Sequence, residues 1–403
     1  VKLPELLAPA GNMEKAVVAM EYGADAIYLA GKGFGMRAKA GNFSPEELKE
    51  VLALARERGV KVYVTVNTYP RNEEMDQLPA YLEELAELQV DALIIADVGV
   101  LALARQYAPG LPLHLSTQAN TVNYQAAKFW AELGVTRLVL ARELSREEIA
   151  RIRRETGCEL EVFVHGAMCV AYSGRCLLSN VLTGRDANRG ECAQSCRWRY
   201  AIVEEKRPGE YMPIEEDEGG THIFNSKDLR LIEYIPDLVQ LGVDSLKIEG
   251  RMKSAYYVAT VVRAYRQALD LYAQNPENYQ LPPELLEELD KVSHRPYWAG
   301  FFAPTDAGIY RPSSAYIQTH EVVGVVESYD EERKEALVGV RNRLPLGAEV
   351  EILQPRGPLV TTVVSRLVQV EPEEELQAAH ANFKVRIPME RVKPYSMLRM
   401  KKE

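Results

Sequence analysis

The sequence predicts an α/β protein: a TIM-like (β/α)8 barrel with a long cysteine-bearing insertion, followed by a small antiparallel β-barrel domain. Three observations predict it. Short apolar runs alternate with amphipathic helical stretches through the first two-thirds of the 403 residues. Those runs are β-branched or apolar on both faces, as parallel strands covered by helices require. From about Tyr316 the texture changes to short alternating runs separated by Pro, Gly and charged residues, the mark of an antiparallel module. The expected division is 1–315 for the barrel, with the cysteine-bearing insertion at about 165–225 and a helical exit segment, and 316–403 for the second domain.

In order, the expected strands are Glu5–Leu7, Ala26–Leu29, Lys61–Val66, Ala92–Ala96, Pro112–Ser116, Arg137–Ala141, Glu159–Val164 and Ser245–Ile248. Eight strands with intervening helices fit a closed barrel better than an open doubly wound sheet, which strand counting alone leaves as the alternative. Ser44-Pro45-Glu46-Glu47 opens a helix with a Ser cap, Pro at the first position and Glu at the third; Ser145-Arg146-Glu147-Glu148 repeats the signal without Pro. Gly23, Gly59, Gly134, Gly157 and Gly242 each follow a helical stretch, where a left-handed cap favours glycine. Lys206–Gly220 reads as a polar surface excursion, and Asn275–Pro283 as the exit from the barrel. The second domain is expected to use Val322–Val326, Glu335–Val340, Glu349–Leu353, Val360–Val364 and Phe383–Ile387.

Hydrophobic residues are 47% and charged residues 26%, which excludes collagen-like, coiled-coil and disordered classes. The net charge of −10 disfavours a whole-surface grip on nucleic acid but leaves room for a local basic patch. No apolar run reaches the roughly 18 residues of a membrane span, and Val1–Gly11 lacks the pattern of a secretory leader. A cytoplasmic location without membrane contact is therefore expected.

Four of the five cysteines fall between Cys169 and Cys196. They read His165-Gly-Ala-Met-Cys169, then Cys176, then Cys192-Ala-Gln-Ser-Cys196. Structural zinc prefers two short knuckles, and only Cys192/Cys196 has that spacing, so an iron–sulfur cluster is the better reading. Cys158 lies apart and reads as a buried small hydrophobe. The same loop carries Arg175, Arg185, Arg189, Arg197 and Arg199 against Asp186 and Glu191, interleaved with Tyr172, Trp198 and Tyr200. Arginine forks with aromatic faces suit single-stranded RNA, and equally would neutralise a thiolate cluster or an anionic small substrate. Arg185, Arg189, Arg197, Trp198 and Arg199 are the expected RNA contacts.

Several strands end in polar groups where a barrel places its chemistry: Asn67, Gln118, Arg142-Glu143, His165 and Glu249 through Lys253. Arg37, Arg251 and Lys253 are expected to clamp a carboxylate or phosphate, Asn67 and Gln118 to orient a polar ligand, and Lys227 to join them. Glu249 and His165 are expected to exchange protons, with Tyr172 the third candidate catalytic group. No Gly-x-Ser-x-Gly elbow, His-Glu-x-x-His helix or P-loop occurs, so those hydrolase and ATPase mechanisms lack their parts.

At these residues the sequence resembles the peptidase U32 family. The stretch Glu161–Ser179, with His165-Gly166, Cys169, Gly174 and Cys176, carries the signature, and Arg185-Asp186-x-Asn188-x-Gly190-x-Cys192-x3-Cys196 extends it. Asn225-Ser-Lys227-Asp228-Leu229, Lys247–Ser254 and Ser293-His-Arg-Pro-Tyr297 add further agreement, so the likeness covers essentially the whole chain. The resemblance implies an iron–sulfur enzyme of the RNA-hydroxylating branch, with Cys169, Cys176, Cys192 and Cys196 as ligands of a [4Fe–4S] cluster. It implies 5-hydroxyuridine formation at the tRNA wobble position without molecular oxygen, and prephenate, a small dicarboxylate, as cosubstrate. A homo- or hetero-oligomer with another U32 protein is a further implied partner. The competing expectations are a peptidase of the collagenase-like kind, resting on a Cys169–His165 pair, and a non-catalytic RNA-binding protein with a structural cluster.

Overall fold

The structure is a computed structural model describing residues 2–32, 42–169, 171–197, 216–217, 220–221, 227–303 and 316–402. Eight parallel strands form the first domain: β1 Glu5–Pro9, β2 Ala26–Leu29, β3 Lys61–Val66, β4 Ala92–Ile95, β5 Leu113–Leu115, β6 Arg137–Val139, β7 Glu159–Ala167 and β8 Ser245–Ile248. Each pairs with its successor, and one long excursion separates β7 from β8 along the chain. β8 pairs with both β7 and β1, which closes the barrel and removes the open-sheet alternative. Inward-facing Leu7, Ala26, Tyr28, Tyr63, Ala92 and Ile94 form an apolar cluster of their own. Outward-facing residues such as Leu6, Ile27, Val62 and Leu93 pack under the helices in the larger core. Each fully buried aliphatic side chain of that layer contributes about 1.5–3 kcal/mol.

The helix signals act as their chemistry requires. The Ser44 hydroxyl accepts from the Glu47 N–H at 3.2 Å, and the Glu47 carboxylate accepts from the Ser44 N–H at 2.8 Å. Ser145 and Glu148 make the same reciprocal pair. Gly59, at φ +67°, closes the helix Pro45–Arg58 in the left-handed region. Gly157 does not play the expected part. The helix Arg146–Glu155 stops at Thr156 in extended conformation, so the chain passes into β7 without a left-handed turn.

Two short strands beside the barrel were not expected. Asp228–Arg230 runs antiparallel to the end of β7, and Tyr297–Trp298 pairs parallel with Asp228–Arg230. The second domain is an antiparallel half-barrel ordered Val360–Val363, Glu349–Leu353, Met397–Lys401, His320–Asp330, Glu335–Val340, Lys384–Pro388, Val368–Gln369 and Glu374–Glu375. It is bolted to the barrel through polar contacts. Fully buried Arg399 meets Glu288 at 2.7 Å and Glu351 at 2.8 Å. The Tyr22 hydroxyl reaches the carbonyls of Leu353 and Tyr395 at 2.9 and 2.8 Å. Among the described residues no helix is long and apolar enough to cross a membrane. The excursion expected at Lys206–Gly220 lies almost wholly outside the described residues.

Candidate active site at the barrel mouth

The lower half of the barrel interior is charged. Arg137, at the start of β6, meets Glu5 and Glu159 at 2.7 Å and Glu161 at 3.2 Å. Glu161 is wholly buried and also holds Lys247 at 2.8 Å. Burial alone would raise the Glu161 pKa. Lys247, then Arg137, outweigh it and hold the carboxyl below its ordinary value. Burial followed by the Arg137 charge pushes the His114 imidazole down to about 3, so it is neutral in the fold.

At the opposite end, where the strands finish, the interior opens into a throat of about 70 Å³. Its walls are Tyr28, Thr65, Asn67, Ser116, Gln118 and Phe163, with Lys247 below and Arg142, Glu249 and Arg251 above. Asn67 donates to the Ser116 hydroxyl at 3.2 Å, and buried Arg251 donates to the Thr65 hydroxyl at 3.3 Å. Gln118 is 6% exposed, and its side-chain oxygen has no hydrogen-bond partner. An unpaired buried acceptor costs about 1–3 kcal/mol, a cost that a donor on a bound ligand would remove. Gly174, at φ +72°, lies over it, and a Cβ there would stand 2.0 Å from the Gln118 oxygen.

A second cavity of about 460 Å³ adjoins the throat and shares Arg142 and Glu249 with it. Cys169, Cys192 and Cys196 line it, with Met168, Arg185 and Lys253. Arg142 is fixed on three sides. It donates to the Ala167 carbonyl at 2.8 Å, lies 3.8 Å from the Cys169 sulfur and sits 4.9 Å above the Phe163 ring. Lys253 donates to the Ser293 carbonyl at 3.0 Å and faces the Tyr316 ring at 4.6 Å. Three thiols on one cavity are soft donors of the kind an iron–sulfur cluster takes. Cys176 is half-buried and does not line that cavity. Among the described residues no three His, Cys, Asp or Glu side chains stand close enough to hold a metal ion. The full convergence of four sulfurs expected from the sequence is therefore not assembled, and Cys176 is the member set apart.

Asn67, Gln118, Glu249, Arg251 and Lys253 are thus brought to the mouth, with Arg185 beside the cysteines, where it donates to the Cys192 carbonyl at 3.3 Å. His165 is not, and its expected proton exchange with Glu249 is corrected. An irregular register between β7 and β8 pairs Lys247 with Phe163 but Ile248 with His165, so His165 turns outward with Ile248. Its ring nitrogens face the Tyr265 and Tyr297 hydroxyls, each at 3.3 Å, and burial holds it neutral. That placement also leaves the Cys169–His165 pair of the peptidase reading unassembled. Tyr172 is 48% exposed and lines neither cavity, and Lys227 likewise lines neither. Arg189 pairs with Glu74 at 2.8 Å. Arg37, Trp198 and Arg199, with the Arg197 side chain, lie outside the described residues. Sequence reasoning noted Arg142 as a polar strand end without assigning it a role, and missed Lys247. The signal for Lys247 was a lone cation on the inward phase of an apolar strand.

The comparisons with known proteins agree along the chain. Residues 11–309 match the family model described as Peptidase family U32, and residues 318–399 match the Peptidase family U32 C-terminal domain. The chain is 41% identical over 401 residues to tRNA hydroxylation protein P1 of Bacillus subtilis, covering 99% of this chain and 95% of that one. It is 38% identical to tRNA hydroxylation protein P of Escherichia coli, over 89% of this chain and 88% of that one. It is also 31% identical to a protein of Porphyromonas gingivalis named Collagenase, over 98% and 97% of the two chains. A family match over most of the barrel, a second over the half-barrel and near-full-length relatives lead to one conclusion: the chain belongs to peptidase family U32.

Proposed function

We propose that this chain hydroxylates the wobble uridine of tRNA to 5-hydroxyuridine, without molecular oxygen, with an iron–sulfur cluster and with prephenate as hydroxyl source. The observation that carries the reading is the pair of joined cavities. A polar throat opens into a cavity of about 460 Å³ lined by three cysteines, and Arg142 and Glu249 belong to both. The names of the Bacillus subtilis and Escherichia coli relatives support tRNA as substrate. Prephenate and the cluster come from the family resemblance.

In this reading Cys169, Cys192 and Cys196, which line one cavity but do not yet converge, would be drawn together to hold the cluster, and the cluster would supply redox or Lewis-acid chemistry next to the throat. Arg142 and Arg251 bind the carboxylates of the cosubstrate through charge-assisted hydrogen bonds. The Gln118 oxygen accepts from the uracil edge, and Asn67 orients the ring from the Ser116 side. Glu249 moves the proton at the uracil C5 position, being the carboxylate common to both cavities. A base must leave its stack to reach so enclosed a site.

The test is nucleoside mass spectrometry of tRNA from a strain lacking its own U32 proteins and expressing this chain. The wild-type chain is expected to restore 5-hydroxyuridine and Cys169→Ala to abolish it. Absence of the nucleoside with soluble wild-type protein present contradicts the proposal. Anaerobically purified protein that is colourless and free of iron contradicts the cluster.

A further inference from the structure

One recess at the mouth has no part in the roles above. It is a cleft of about 230 Å³ between the chain following β3 and the insertion, lined by Tyr69, Arg71, Gly174, Arg175, Asp186 and Arg189. Three guanidinium groups face it, with one carboxylate in its wall. Arg189 is matched by Glu74 at 2.8 Å. Arg71 and Arg175 are exposed, and neither is in an ion pair among the described residues. The Arg175 guanidinium lies 5.8 Å from the centre of the Tyr69 ring. The Tyr69 hydroxyl donates to the backbone carbonyl of Gln118, whose side chain lines the throat. Ser173 belongs to the throat wall and Gly174 to the cleft wall, so one step of backbone separates the two spaces.

Like charges collected on one lip of an acidic protein repel one another until an anion sits among them. Guanidinium forks match the oxygen geometry of a phosphate, and an aromatic ring beside them suits a nucleotide over a bare ion. We propose that this cleft seats the phosphodiester adjoining the nucleotide that enters the throat, gripped by Arg71 and Arg175, with Tyr69 bracing the partition. The inference rests on the RNA reading above and adds to it the place where the strand is held. It also assigns RNA contacts to Tyr69 and Arg71, which the sequence did not single out for that role, and to Arg175, one of the loop arginines that the sequence reading offered to RNA.

The experiment uses the full chain and labelled tRNA, with affinity followed by fluorescence anisotropy as salt is raised. Arg71→Gln with Arg175→Gln is expected to weaken binding about 10- to 100-fold at low salt and to make the log K against log[salt] slope shallower by about 1–2. The KM for tRNA should rise with kcat nearly unchanged, and Arg71→Lys with Arg175→Lys should recover part of the affinity. Both residues are exposed, so the thermal midpoint should not move; Arg333→Gln with Arg391→Gln, two exposed arginines of the second domain that line neither the cleft, the throat nor the cysteine cavity, is the charge-matched control. Unchanged affinity and slope in the Gln double variant overturn the proposal. So does an effect confined to inorganic phosphate binding while tRNA affinity stays at the wild-type value. If the wild-type chain binds tRNA through these arginines yet makes no 5-hydroxyuridine, the hydroxylation reading fails and the cleft stands.

Discussion

The two ends of the barrel obey opposite electrostatic rules. At the floor every charge has its partner: Arg137 meets three carboxylates, and Glu161 meets two cations while fully buried. At the mouth the balance is left open. Arg142 faces a cavity, Gln118 has an unmatched acceptor, and two arginines at the lip are in no ion pair among the described residues. A closed network holds strands in register, and an open one waits for a ligand to complete it. Lys247 joins the two, gripping Glu161 below and forming part of the throat above.

The sharpest way to break this contrast is to remove a floor charge. Glu161→Gln leaves Lys247 and Arg137 short of their shared carboxylate, and the expected loss is about 3–5 kcal/mol in urea denaturation. A loss under about 1 kcal/mol would mean that the floor is no tighter than the mouth. Arg142→Gln should do the reverse. Uridine hydroxylation is expected to fall about 100-fold or more, a loss of anion stabilisation, while the unfolding free energy changes by less than about 1 kcal/mol.

Acidity sharpens the comparison. His114 titrates at about 3 in the fold against 6.5 when exposed, so its contribution to stability is complete above pH 6.5 and drains away as pH falls from there towards 3. The slope from one such imidazole approaches about 1.4 kcal/mol per pH unit. Buried His165 acts in the same direction, and Glu161 adds its own loss only below its ordinary value of 4.5. His114→Gln should flatten the slope between pH 6 and 4 without abolishing it, as read from urea midpoints at each pH. The smallest effect is expected from Gly174→Ala. A methyl 2.0 Å from the Gln118 oxygen, at φ +72°, forces the loop away for about 1 kcal/mol. It should raise the KM for tRNA more than it lowers stability.

The barrel was legible because parallel strands buried on both faces must be apolar throughout, and runs such as Lys61–Val66 and Ala92–Ile95 are. The last strand, Met397–Lys401, was not, because Arg399 occupies a fully buried position and masks the alternation. Its partners Glu288 and Glu351 come from distant elements that no local pattern reveals. At the site, strand-end polarity identified Asn67, Gln118, Glu249 and Arg251, since strand phase alone carries them to the mouth. His165 misled because one irregularity of register reverses its face. The cleft residues Tyr69 and Arg71 gave no signal, since only folding brings them to Arg175.

The central claim is that the space shared by the throat and the cysteine cavity is where uridine is hydroxylated. Glu249→Gln, which changes one atom common to both, tests it most directly through the 5-hydroxyuridine content of tRNA per mole of soluble chain. The predicted result is loss of the nucleoside with an unchanged thermal midpoint; wild-type levels in that variant would contradict the claim.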